Sequence, residues 1–256
     1  MPNVIFETQD SIAIVTINRP QVRNAVDSDT AIELFDAFAK FDADDSLNVA
    51  VFTGAEGVFC AGADLKAVAG GDKRDNDEHS ELAPMGPTRM RLTKPVIAAV
   101  EGFAVAGGLE LALWCDMRVA ARDAIFGVYC RRFGVPLIDL GTIRLPRLIG
   151  HSNAMDLILT GRGVTGEEAL RMGLVNRLVE SGEALAEAIK VAQQIAAFPQ
   201  ACMRSDRQSA YEQWDLSWDE AIRNEFTLGK AILDSGESVA GARRFAQGEG
   251  KHGTFK

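Results

Sequence analysis

The stretch Glu101-Gly102-Phe103-Ala104-Val105-Ala106-Gly107-Gly108-Leu109-Glu110-Leu111-Ala112 reads as a strand that runs through two adjacent glycines straight into an apolar helix. Small residues at such a joint let another group approach the backbone. The first amides of a helix have no intrahelical acceptor, so they point at whatever negative charge arrives. A second segment of this kind, Phe59-Cys60-Ala61-Gly62-Ala63-Asp64-Leu65, follows the apolar run 49–53. Two such turns converging would aim two amides at one oxygen, the arrangement that stabilises an oxyanion. Glu110 lies three residues past Gly107, in the first helical turn. Two roles compete for it: an acid favoured at a helix N-terminus, worth about 0.3 to 1 kcal/mol, and a group that moves protons beside the two amides.

Outward from this joint, the chain alternates strands and helices. Val4, Phe6 and Thr8, then Ile12, Ile14 and Thr16, predict two strands joined at 9–11 as an antiparallel hairpin. Apolar positions Ile32, Leu34, Phe35, Phe38 and Phe41 predict a helix over 28–44, with Ser28 placed to cap it. Short buried strands are expected at 48–53, 96–100 and 117–121, which implies an α/β layered core. Residues 70–90 carry Gly-Gly, mixed charges and two prolines and read as a mobile surface flap. Helices are expected at 141–149, 152–160 and 165–172, the last opened by Thr165 and Glu168 at capping-box spacing, and one strand at 174–179. Beyond 181 the pattern is helical. Pro199 marks a break before an appendage whose Trp214, Trp218 and Phe226 need a partner surface.

Composition narrows the function classes. With 256 residues, 47% hydrophobic, the chain can bury a full core, and a net charge of −9 repels nucleic acid and anionic membranes. Charged residues interrupt every apolar run before membrane-spanning length, so no membrane association is expected. Cys60, Cys115, Cys130 and Cys202 show neither CxxC nor zinc-type spacing, which suits a reducing cytoplasm. His79, His151 and His252 are too scattered for a triad or a metal site, and no GxGxxG follows the first strand.

The order and spacing of FCAGADL (59–65), EGFAVAGGLELAL (101–113), NRPQVRNAV (18–26) and GTIRLPRLIG (141–150) resemble the enoyl-CoA hydratase/isomerase (crotonase) superfamily along nearly the whole chain. The resemblance implies a spiral of ββα units over 1–198 that holds an acyl-CoA thioester. It also implies a helical region, 199–256, that assembles homotrimers or dimers of trimers. It places the oxyanion amides on Ala63 and Gly107 and the first catalytic glutamate on Glu110. The CoA-lining positions fall on Val22, Arg23, Ala25, Ala61, Gly62, Asp64 and Leu65, with Gly108 and Cys130 also at the substrate. Coenzyme A is then part of the substrate, and no separate cofactor or metal is implied.

One departure stands out. The second glutamate of two-acid hydratases falls on Cys130, and a thiol titrating near 8.5 is a poor proton shuttle at neutral pH. Asp139 resembles in position the second acid of dienoyl-CoA isomerases in the same superfamily; its other reading is a cap on the helix beginning near Leu140. The expected activity is hydration of a 2-enoyl-CoA. Double-bond isomerisation through Glu110 and Asp139, or acyl-CoA binding without catalysis, are the alternatives.

Overall fold

Strands β1 (Val4–Gln9) and β2 (Ile12–Ile17) pair antiparallel, Val4 opposite Ile17, in the computed structural model, which describes residues 2–72 and 77–250. Helix α1 (Ser28–Ala43) buries Leu34, Ala37, Phe38 and Phe41 and returns the chain to β3 (Val49–Gly54), parallel to β2. A short helix, α2 (Leu65–Ala69), follows the 59–64 turn. The next unit is β4 (Val96–Val100), β5 (Phe103–Val105) and α3 (Gly107–Trp114); the one after begins with β6 (Met117–Ala121) and β7 (Ile125–Gly127). Helices α4 (Gly141–Ile149) and α5 (His151–Thr160), strand β8 (Gly163–Thr165), helix α6 (Gly166–Met172), strand β9 (Arg177–Val179) and helix α7 (Ala184–Ala196) complete this part.

Two sheets record the spiral. The first has the order β1-β2-β3-β4-β6-β9, parallel from β2 onward, and the second has the order β5-β7-β8. Cys60 forms a parallel bridge to Ala104 of β5, and β5 runs parallel to β7. Each turn of chain therefore lays one strand on the first sheet and a shorter one on the second. Phe52 of β3 packs edge-on against Phe38 and Phe59, with ring centroids 5.2 Å apart in both pairs.

Residues Met1–Ile195 form one compact unit and Ala196–Lys256 a second, the latter holding α8 (Gln200–Glu212), α9 (Trp218–Asp234) and α10 (Glu237–Ala246). Among the described residues no helix is long and apolar enough to cross a membrane.

Three expectations need correction. Asp27, not Ser28, caps α1: Asp27 has the extended backbone of a cap and its carboxylate accepts from the Thr30 amide, while the Ser28 hydroxyl bonds Asp72. The strand expected at 174–179 is only 177–179, because Leu174 and Val175 donate back to the Ala169 carbonyl of α6. The supposed surface flap divides: 73–76 lie outside the described residues, whereas 83–88 are buried against the core. Ala83, Pro84, Met85 and Pro87 are apolar, and the charges that suggested solvent flank them.

Candidate active site

Helix α3 is buried along its whole length, and Glu110 is its one charged residue. It starts abruptly because Ala106 adopts φ 55° and ψ −125°, a conformation that costs a non-glycine residue on the order of 1–3 kcal/mol. The Ala106 amide is held by the Gly127 carbonyl of β7 at 2.9 Å, and its carbonyl accepts from Glu110 N–H at 3.2 Å. Gly107 then presents the first amide of the helix. Gly108, which the resemblance places among the substrate-contacting residues, also needs its missing side chain for packing. A Cβ there would lie 2.1 Å from the Cys60 carbonyl oxygen.

The other glycine turn meets this helix start. Gly62 has φ +95°, and a Cβ on it would sit 2.8 Å from the Ala106 Cβ and 3.0 Å from the Gly107 nitrogen. Covalent geometry then limits the Ala63 and Gly107 nitrogens to a separation of about 7 Å or less. Ala63 bridges Val26 through flanking groups: Val26 N–H donates to the Gly62 carbonyl and Asp64 N–H to the Val26 carbonyl, each at 2.8 Å. In a parallel bridge of this kind the amide of Ala63 itself faces away from Val26. Among the described residues neither the Ala63 nor the Gly107 amide has a protein acceptor.

The loop 19–26 backs the Ala63 turn. Ala61 N–H donates to the Arg23 carbonyl at 3.1 Å, so Val22, Arg23 and Ala25 run beside Ala61, Gly62 and Asp64. Buried Asn24 fixes the loop by donating to the Ala55 and Val58 carbonyls at 2.9 and 2.6 Å and accepting from Arg19 N–H. The Arg19 guanidinium bridges Asp27 at 2.6 Å and Asp64 at 3.2 Å, the capping residues of α1 and α2. Leu65 opens α2, partly exposed.

A turn from farther along the chain holds Glu110. Its Oε1 accepts from the amides of Asp139 at 3.0 Å and Gly141 at 2.9 Å. Between them Leu140 takes the left-handed conformation, φ 69°, which curls successive amides into a concave nest for an anionic oxygen. A Cβ on Gly141 would come within 2.7 Å of Oε1, so the nest closes only over a glycine. Burial, and then the negative charge of Asp139, push Glu110 up to about 8 against the pull of these amides. Cys130 is the buried residue of the turn Tyr129–Phe133; burial and then the Glu110 carboxylate push its thiol up, which keeps it neutral.

Asp139 does not cap α4. Leu140 occupies the cap position without a side-chain bond, and Asp139 Oδ1 accepts from Met85 N–H at 3.0 Å and the Thr88 hydroxyl at 2.6 Å.

The chain matches the family model described as enoyl-CoA hydratase/isomerase over residues 7–252. It belongs to the enoyl-CoA hydratase/isomerase family. It is 35% identical over 253 residues to enoyl-CoA hydratase EchA19 of Mycobacterium tuberculosis, covering 96% of this chain and 94% of that protein. It is 37% identical over 245 residues to crotonyl-CoA hydratase of Syntrophomonas wolfei, covering 93% of each. The crystal structure of enoyl-CoA hydratase EchA1 from Mycobacterium marinum superposes with a TM-score of 0.91 at 39% identity, covering 96% of each chain. The ββα spiral is thus the crotonase fold.

Within this family member, Ala63 from one turn of the spiral, Gly107 and Glu110 from the next, and Cys130 and Asp139 from the one after lie around one helix start. Sequence reasoning missed Asn24, Met85, Thr88 and Gly141. Gly141 had a signal, the Gly-Thr that opens GTIRLPRLIG; Met85 and Thr88 had none.

Proposed function

We propose that this enzyme is an enoyl-CoA hydratase that adds water across the 2,3 double bond of an enoyl-CoA thioester. The observation that carries the reading is a buried carboxyl, held by the Asp139 and Gly141 amides, one helical turn from an amide with no protein acceptor. The names of the relatives support the same reaction. In this reading the thioester oxygen accepts from Ala63 and Gly107, whose amides stabilise the enolate that forms when C3 is attacked. Glu110 takes a proton from water as the hydroxyl oxygen bonds to C3, and then returns a proton to C2. The net change is hydroxyl to C3 and hydrogen to C2, through a single carboxyl. A value of about 8 suits a group that must act as both base and acid. Cys130 serves as a small wall, and CoA lies along 22–25 and 61–65. Coenzyme A arrives as part of the substrate, and the reducing cytoplasm suits the four free thiols.

The test is an absorbance assay on short and long trans-2-enoyl-CoA, 3-enoyl-CoA and dienoyl-CoA thioesters. The 2-enoyl thioesters are expected to be hydrated, with kcat/KM rising about tenfold per pH unit and levelling near 8, because only the ionised carboxyl can take the proton. Turnover confined to 3-enoyl or dienoyl thioesters would transfer the chain to the isomerase reading, and no turnover on any of them would leave only binding.

The 196–256 unit supports an assembly role. Its Trp214, Trp218 and Phe226 are 51%, 80% and 70% exposed, and α8, α9 and α10 contain no buried residue. Light scattering at micromolar concentration is expected to give a trimer or a hexamer; a monomer would remove this role.

A further inference from the structure

We infer that Asp139 is a positioning residue: its carboxylate fastens segment 83–88 to the turn that grips Glu110, and so seats Met85 against Gly107. The kinetic part of this inference rests on the hydration reading. Each link is a specific contact. Asp139 Oδ1 accepts from Met85 N–H and the Thr88 hydroxyl, while the Asp139 amide donates to Glu110 Oε1. One residue thus bonds segment 83–88 through its side chain and the carboxylate of Glu110 through its backbone. Arg144 adds a second tie between the same two stretches, donating to the Thr88 carbonyl at 2.8 Å and to the Asp139 carbonyl at 3.4 Å.

Met85 shows what the strap carries. A Cβ on Gly107 would meet the Met85 Sδ at 2.6 Å and its Cε at 2.9 Å, so the thioether lies on the α-carbon whose amide faces the reacting oxygen. Met85 is 1% exposed and Thr88 fully buried, which leaves the segment no latitude as long as Asp139 accepts both donors. A group that accepts two bonds from the chain on one oxygen and is itself buried is built to hold, as buried polar groups are generally satisfied rather than spare. A second proton-transferring acid would lose its role when the carboxyl becomes an amide, whereas a positioning residue keeps its acceptor oxygen.

The test compares Asp139→Ala, which removes the acceptor, with Asp139→Asn, which keeps an Oδ1 for both donors. Thr88→Val removes one donor alone. A positioning role predicts that Ala lowers kcat/KM by about tenfold or more and lowers Tm, that Asn restores turnover to within about fivefold of the parent, and that Val falls between.

The pH profile supplies a readout that mere stability would not move. The groups facing Glu110 are Asp139 and Arg144 from the 139–149 stretch and Cys130 from the 129–133 turn. Removing the Asp139 charge in the Asn variant should shift the rising limb of kcat/KM to lower pH, and should shift in the same direction the pH range over which Tm falls. If Asn is as inactive as Ala, by 10² or more, Asp139 is a proton-transfer group and the inference falls. If Ala lowers Tm and Asn restores it while no enoyl thioester is turned over, the positioning stands and the hydration reading fails.

Discussion

Replacing Glu110 by glutamine should lower kcat on a 2-enoyl-CoA by about 10² or more, with acyl-CoA affinity nearly unchanged. Glutamine is isosteric, and its carbonyl oxygen can still accept from the Asp139 and Gly141 amides that hold Oε1. What it loses is the proton. Stopped-flow or steady-state rates alongside a direct binding measurement separate the two; unchanged turnover would return Glu110 to a helix-terminus role.

The same substitution has a consequence for stability whose sign follows from the raised value. An unfolded chain ionises Glu110 near 4.5, whereas the folded chain keeps the proton up to about 8. Its contribution is therefore fully present below about 4.5 and lost as pH rises through about 8. Glutamine does not titrate, so the variant should gain on the parent over that window, reaching roughly 5–10 °C in Tm above pH 8. Thermal melts at pH 5 and 9 check this: inactivation accompanied by high-pH stabilisation is hard to attribute to damage.

Gly62→Ala should be the most harmful substitution outside Glu110, cutting turnover by about 10² to 10³. Two independent penalties coincide there. The backbone sits at φ +95°, where an L side chain is strained, and the new methyl would meet the Ala106 Cβ at 2.8 Å and the Gly107 nitrogen at 3.0 Å. Neither neighbour can give easily, since Ala106 is itself strained and bonded to Gly127. The turns must move apart, and with them the Ala63 and Gly107 amides. The kinetic signature is a fall in kcat with KM changed much less. A variant with parental kcat would show that these two amides do not share one oxygen.

The joint around Gly107 was legible because few residues other than glycine tolerate its close approaches, and the strands and α1 because their apolar spacing has only one period. What stayed hidden depended on partners remote in sequence. Asp139 could be seen as an acid before a helix, but its acceptor role depends on Met85 and Thr88, 54 and 51 residues earlier. Those lie in a stretch whose flanking charges suggested solvent. Asp27 and Ser28 are both good caps, and only the extended backbone at Asp27 chose between them. The left-handed turn at Leu140 has no sequence mark, since leucine is not a residue that favours it.

The grip on Glu110 comes from residues 29 and 31 positions later, the tie from Asp139 reaches back 54, and Arg19 meets Asp64 across 45. None of these bonds can form until one turn of the spiral has closed on another, and closing such long loops is the slow part of folding. During refolding, helical signal therefore returns before the carboxylate is in place. Catalytic competence becomes a late clock, reporting completion of the spiral rather than the appearance of its parts.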